Sequence, residues 1–407
     1  MPFDVEAAAM KKLGLFGVSA VLLMAAACSR KAEEPAPQPA VETPPALSDV
    51  GADSREFTVA SADGTQITGQ VDAPFGADGH EPVVVLSAGT GLFDRDVRLS
   101  NTGTERDAIF ADLARRFTRA GIATVRYDRR GVRYRPADGQ VLDKAVSGTS
   151  TVESQRDDLG AVYALAQEEF GGQAACIALL GHSEGIQHIA GLAAAGAPAP
   201  DLVVGIGAPL QAPADVFKWQ LTGRDAFSLR MMDENADGIV TTREVERGWR
   251  ETPSAVFDMV EPFRHPSGRW TSEDIDNVVA AQTQHYEQAR AEALAMDDEA
   301  PYPNADTPMA EYSWWKKWYT DEAPIADKLA AWDVRFLLYY GDRDSQVRYE
   351  FQQPVAESLL GSRAEIHILP GLGHSLGAHV LTGPMDDAAA DALVARTAAI
   401  LKERCVP

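Results

Sequence analysis

The feature that most constrains this chain is a repeated switch between short apolar runs and amphipathic stretches. Apolar runs stand at 82–87 (PVVVLS), 122–127, 176–180, 202–207, 334–340 and 365–369. Helical periodicity fills the gaps over 105–120, 152–170, from Ser183 onward, 351–360 and 387–402. Two further strands, 57–61 and 66–72, bracket an Asp63-Gly64 turn signal. Such alternation implies βαβ units and a mainly parallel sheet with helices on both faces, fed by an antiparallel hairpin. In sheets of this kind chemistry gathers in the loops at the carboxyl ends of the strands.

The rhythm fails in two places. Ahead of about Arg55, residues 33–54 hold five prolines and no aromatic residue, which reads as an extended tether. Between 211 and 332 the strands stop and the pattern turns mostly helical. The chain carries 37 Lys and Arg against 60 Asp and Glu, a net charge of −23. This balance argues against nucleic acid as a main partner and against docking on anionic lipid through surface charge. The excess is uneven: positions 211–331 hold 23 acids and 12 bases, a net −11 in under a third of the chain.

Before the tether, Met10-Lys11-Lys12 opens a basic stretch followed by an uncharged apolar run over 13–27. That is short for a membrane span and has the shape of a secretory signal, with Met10 the natural start because Asp4 and Glu6 do not suit a basic leader. The run ends Ala25-Ala26-Ala27-Cys28-Ser29, which resembles a bacterial lipobox. The resemblance implies cleavage after Ala27, lipidation of Cys28 and, from Ser29, the outer membrane of a Gram-negative envelope; an ordinary signal peptide is the alternative. Three cysteines cannot build a dense disulfide framework. Cys176 and Cys405 read as an unpaired strand residue and a tail residue.

The run at 176–180 enters Gly181-His182-Ser183-Glu184-Gly185, a G-x-S-x-G between a strand and a helix. Small flanking residues let the serine sit in a strained turn with its hydroxyl exposed, and the helix start offers free N–H groups to an oxyanion. Two later loops add partners: Gly341-Asp342-Arg343-Asp344 after 334–340, and Gly371-Leu372-Gly373-His374 after 365–369. Taken singly, these acids could be solvated loop residues and His374 a turn cap. His182, His188, His367 and His379 read as scaffold or surface.

Together these motifs resemble the α/β-hydrolase family, whose order is Ser, then Asp, then His. The resemblance covers 55–210 and 333–407 and implies a catalytic triad of Ser183, Asp344 and His374, with Asp344 preferred over Asp342 by the family spacing. It also implies an oxyanion hole built from the backbone N–H groups of Glu184 and Thr90. The segment Ser87-Ala88-Gly89-Thr90-Gly91 resembles the family's His-Gly-x-Gly, with Ala88 in place of His, and Asp94-Arg95-Asp96 resembles an esterase-like branch. Tyr127-Asp128-Arg129-Arg130-Gly131 resembles the family's turn after its fourth strand, a structural element. The insertion at 211–332 falls between strands six and seven, where the family carries a cap.

Inside that cap, 233–244 (DENADGIVTTRE) matches an EF-hand loop at its diagnostic positions. Asp233, Asn235, Asp237, the Ile239 carbonyl, Thr241 and Glu244 would wrap a Ca2+ ion around the turn made by Gly238. Helical patterns flank it over 214–232 and 242–249, and no second loop of this type is legible; an acidic surface loop is the alternative. All seven tryptophans lie in or at the edge of the insertion, as cap core or as pocket wall; the run 314–318 (WWKKW) is the best pocket candidate and could also touch lipid. The function expected is a serine hydrolase of a small ester or acyl substrate, with structural calcium, no organic cofactor and a lipid anchor. The alternatives are a proline-type exopeptidase on the same scaffold and a non-catalytic calcium-dependent binding lipoprotein. An Asp-nucleophile dehalogenase is disfavoured by Ser183.

Overall fold

Eight strands build one sheet: β1 (Ala52–Ala60), β2 (Gln66–Pro74), β3 (Val83–Ser87), β4 (Ala123–Tyr127), β5 (Ile177–His182), β6 (Leu202–Ile206), β7 (Arg335–Gly341) and β8 (Ala364–Leu369). They lie in the order β1-β2-β4-β3-β5-β6-β7-β8. β1 and β2 form the antiparallel hairpin, β2 meets β4 antiparallel, and every pairing from β4 to β8 is parallel. The computed structural model describes residues 52–99, 104–135, 139–171, 176–249, 260–302, 309–378, 380 and 383–405. The signal segment, Cys28, most of the tether and His379 lie outside the described residues. The first strand begins at Ala52, a few residues ahead of the sequence-based start.

Strands β3 to β6 are buried along their whole length, which only uninterrupted apolar sequence tolerates. Their alternate side chains feed two separate cores. Val83, Val85, Val125, Leu179, Val203 and Leu338 face one side of the sheet. Val84, Leu86, Ala178, Leu180, Val204 and Leu337 face the other. The first face is covered by helices α2 (Val152–Glu169) and α3 (Gly185–Ala194), the second by α1 (Ile109–Arg119) and the C-terminal helix, here α11 (Asp387–Cys405). Among the described residues no helix is long and apolar enough to cross a membrane.

The insertion between β6 and β7 is largely helical. It holds α4 (Pro213–Thr222), α5 (Arg224–Arg230), α6 (Thr242–Trp249), α7 (Ser272–Ala295), α8 (Tyr312–Thr320) and α9 (Ile325–Leu329); α10 (Tyr349–Leu359) follows β7. The single helix expected before the acidic loop is two, broken at Gly223, where a side chain would collide with the Trp219 ring. The tryptophans divide between tasks. Trp314, Trp315 and Trp318 build one cap core with Phe217 and Tyr286, Trp270 anchors a second around the acidic loop, and Trp332 belongs to the sheet core.

Buried ion pairs hold the turns above the sheet. Arg95 meets Asp128 at 2.8 Å, Arg126 meets Asp72 at 2.8 Å, and Arg130 meets Asp158 at 2.6 Å. The Asp-Arg-Asp and Asp-Arg-Arg segments are therefore two halves of one charge network, in which an unpaired member would be costly.

One expectation is overturned. Cys176 and Cys405 are a disulfide with Cα atoms 5.8 Å apart, not two free thiols. The bond fastens the end of α11 to the residue preceding β5, across a sequence separation of 229. Sequence offered no sign of it, because the pairing depends on where the last helix docks. Closing so long a loop removes much unfolded-chain entropy, so Cys405→Ser is expected to lower unfolding stability by about 2–4 kcal/mol, read from urea denaturation under non-reducing conditions.

Candidate functional site

β5 ends in a turn that reverses direction over one residue. Ser183 takes φ 53°, a left-handed conformation costly for a residue with a side chain, and its N–H donates to the Ile206 carbonyl at 2.9 Å. The flanking glycines are required by contact. A Cβ at Gly181 would stand 2.6 Å from the Ile186 nitrogen, and one at Gly185 would stand 2.1 Å from the Ser87 carbonyl oxygen. The turn thus brings α3 hard against β5 and β3 and leaves Ser183 half-buried above the sheet.

The loops after β7 and β8 meet beside it. His374 Nδ1 lies 2.9 Å from Asp344 Oδ2, both groups buried, and Asp344 Oδ1 accepts from the backbone of Gln346 at 2.8 Å and Val347 at 2.9 Å. Asp342 instead accepts from the Gly371 N–H at 2.7 Å, holding the two loops together. Of the two acids, Asp344 is the one in contact with His374. Gly207, with φ 53°, makes room for the imidazole: a Cβ there would be 2.7 Å from His374 Nδ1. Ser183 and His374 are not closed into a hydrogen bond, a gap common before substrate arrives.

His182 packs against His374 with ring centroids 5.1 Å apart. Burial, and secondarily the neighbouring His374, push its pKa well below the usual imidazole value. His367, by contrast, pairs with Glu365 at 2.8 Å away from this cluster.

Glu184, the residue after the serine, is 2% exposed and collects partners from four segments. It pairs with Arg129 at 3.4 Å, accepts from Trp314 Nε1 of α8 at 2.9 Å, faces His188 Nε2 at 3.3 Å, and is hydrogen-bonded by the Thr90 side chain. Burial alone would raise its pKa; the Arg129 charge and these hydrogen bonds outweigh it and hold the carboxyl down at about 2. None of these contacts was foreseen, because the residues are scattered in sequence and only the expected backbone role singled Glu184 out. The structure does bring Thr90, Ser183 and Glu184 to one small pocket. Its walls include Phe217, Trp314 and Trp318 from the cap and Val347 from the acid loop. The pocket is narrow, with the cap aromatics on one side and the Ser183 turn on the other. The cap is docked directly on the acid loop, since Trp219 Nε1 donates to the Ser345 carbonyl at 2.9 Å.

The acidic loop stands apart from this pocket, between α5 and α6. Gly238 takes φ 80° and makes the sharp turn. Asp233 accepts from the Gly238 N–H at 2.8 Å and Asp237 from the Ile239 N–H at 2.8 Å, while Asn235 accepts from Asp237 at 3.0 Å. Glu244 reaches back from α6 to accept from the Glu234 N–H at 3.2 Å and from Thr241 N–H at 2.8 Å. The donors are all oxygens turned around one loop, which is the chemistry a hard cation takes. The three carboxylates are not gathered within 4.8 Å of one another; among the described residues only Cys176, Asp201 and Cys405 meet that spacing, and there both sulfurs are committed to the disulfide.

The sign of the Glu184 shift sets a test. Its folded-state pKa lies below the ordinary value of 4.5, so its contribution to stability is present above pH 4.5 and is lost as pH falls towards 2. Glu184→Gln is expected to unfold more easily at pH 7 and to show a shallower loss of stability than wild type between pH 4.5 and about 2, measured by denaturant titration at each pH.

No family model and no curated protein matches the chain. Solved structures do. A lipase in its open form aligns with TM-score 0.50 at 15% identity, over 87% of this chain and all of that one. An esterase from Pyrococcus furiosus aligns with TM-score 0.47 at 12% identity, over 90% of this chain and 96% of that one. An esterase from a Rhodococcus species gives TM-score 0.46 at 19% identity, over 85% and 98%. At these identities the likeness speaks to architecture, and with the strand order, the crossover pattern and the cap position it gives the chain an α/β-hydrolase fold.

Proposed function

We propose that this protein is a serine hydrolase that cleaves a carboxylic ester through an acyl-enzyme on Ser183. The observation that carries the reading is the joint geometry of the strained Ser183 turn and the buried 2.9 Å contact between His374 and Asp344. Asp344 Oδ2 takes the Nδ1–H, which leaves Nε2 as the base. Ser183 Oγ attacks the ester carbonyl carbon while its proton passes to Nε2, and Asp344 stabilises the imidazolium that forms. The carbonyl oxygen becomes an oxyanion facing the backbone N–H groups of Glu184 and Thr90. Collapse breaks the bond to the alcohol, which leaves with the proton from Nε2. Water then repeats the sequence on the acyl-enzyme and frees the acid. The Glu184 carboxylate would repel the oxyanion if left bare; Arg129 neutralises it, and Trp314 and His188 solvate it.

The aromatic wall favours an apolar acyl or alkyl group. The carboxylate in that wall, Glu184, is engaged by Arg129, Trp314 and His188, which leaves it poorly suited to hold a peptide's free amino group and places the exopeptidase reading second. We further propose that loop 233–244 holds Ca2+ through Asp233, Asn235, Asp237, Ile239, Thr241 and Glu244, supplying rigidity to the cap rather than chemistry. Export with lipidation at Cys28 and an envelope location complete the reading. The disulfide supports it, because such bonds persist in oxidising compartments and pairing Cys176 with Cys405 leaves Cys28 as the single odd cysteine.

Wild type is expected to be labelled by a fluorophosphonate probe and Ser183→Ala to be silent; a wild type unlabelled in the presence of calcium rejects the hydrolase in favour of the binding lipoprotein. Short p-nitrophenyl esters are expected to be turned over faster than aminoacyl anilides. Trp318→Ala, which removes pocket wall without touching Ser183, Asp344 or His374, is expected to shift preference towards longer acyl chains, seen as a rise in kcat/KM for octanoate relative to acetate.

A further inference from the structure

Thirty residues beyond the acidic loop, the chain repeats its geometry without its ligands. Val240-Thr241 pairs antiparallel with Arg269-Trp270, with Val240 opposite Trp270 and Thr241 opposite Arg269. Counting 233 and 263 as first positions, Val240 and Trp270 are both eighth, so the register is that of two equivalent loops about a local two-fold axis. The sixth positions agree: Gly238 has φ 80° and Gly268 has φ 79°. The tenth positions exchange bonds, Thr242 N–H donating to the Gly268 carbonyl at 3.0 Å and Ser272 Oγ to the Gly238 carbonyl at 3.4 Å. The ninth and twelfth agree as well. Thr241 Oγ1 donates to Glu244 at 2.7 Å, and Thr271 Oγ1 donates to Asp274 at 2.7 Å. The thirteenth, Val245 and Ile275, share the small core around Trp270.

The ligand positions do not agree. Where the first loop has Asp233, Asn235 and Asp237, the second has Phe263, His265 and Ser267. We propose that residues 263–274 are the second, ligand-depleted loop of a paired EF-hand-like unit, which takes one Ca2+ per chain and uses the empty half as a brace for the filled one. The inference rests on the calcium reading given above and extends it to residues that bear no ligand.

The unit also has a route to the proposed active centre. α5 enters the first loop and α7 leaves the second, and the two are joined where Gln282 Nε2 donates to Asp225 Oδ2 at 2.7 Å. Asp225 holds Arg224 at 2.8 Å, and Arg224 donates to the Gln346 side chain at 3.4 Å. The Gln346 N–H is one of the donors to Asp344. Fixing the angle between α5 and α7 therefore fixes the surroundings of the acid that orients His374.

The test is calorimetric titration of the metal-stripped full chain with Ca2+. Wild type is expected to bind one ion, Glu244→Gln none, and Asp274→Asn one. Gly268→Ala puts a Cβ 3.3 Å from Thr242 Oγ1 at a positive φ and touches no ligand, so it is expected to weaken Kd by about five- to tenfold. Should that variant fail to fold, Thr242→Val carries the same test, with a smaller weakening. A Kd unchanged by either folded variant, or two ions reduced to one by Asp274→Asn, overturns the pairing and leaves the calcium site standing. No binding by wild type, or binding untouched by Glu244→Gln, removes the calcium site and the pairing with it.

Discussion

Everything above the sheet depends on how one buried carboxylate is kept charged. Glu184 sits one residue past the serine, where burial alone would drive it neutral. Arg129 from the turn after β4, Thr90 from the loop after β3, His188 one helical turn on and Trp314 from the cap all converge on it. Each partner comes from a different piece of the molecule, so the carboxylate sets their mutual positions. If it were protonated or removed, Arg129 would be left with its charge uncompensated in a nearly closed space, a cost of several kcal/mol in sites of this type. The same contacts seat the cap on the serine, because Trp314 is both a donor to Glu184 and a wall of the pocket.

This arrangement explains the tight closure. Trp318 packs tilted against both Phe217 and Trp314, with ring centroids 6.1 Å and 5.7 Å apart. The hydrogen bonds from Trp219 and Trp314 tie α4 and α8 to the acid loop and to Glu184, and any shift of the cap relative to the Ser183 turn would strain them.

Much of this was legible from sequence, for an identifiable reason. Ser183, Asp344 and His374 each follow a strand, and a parallel sheet puts the ends of successive strands side by side; order along the chain therefore converts into proximity. The acidic loop was legible because its pattern lies within twelve consecutive residues. What stayed hidden depends on docking rather than on local pattern. Nothing near Cys176 or Cys405 hints that the last helix returns to the start of β5. Arg129, Thr90 and Trp314 carry no motif that points to Glu184. The second cap loop was not legible because Phe263, His265 and Ser267 stand where the first loop has Asp233, Asn235 and Asp237, and only the strand pairing relates the two.

The two cap loops obey one constraint. A short loop of charged residues has little reason to hold a fixed shape, since its carboxylates repel one another and its backbone has no sheet to join. Here it borrows a shape from a neighbour: the strand pair fixes Val240 against Trp270, the tenth-position hydroxyls each cover the other loop's glycine carbonyl, and Trp270 fills the space beneath. Discarding the ligands of the second loop costs none of these contacts, because none of them involves positions one, three or five. The second loop has no carboxylate at positions one, three or five, and its Arg264 and Arg269 balance Glu273 and Asp274, so it adds no net charge beside Asp233 and Asp237. Such a neighbour braces the first loop without competing for the single ion proposed there.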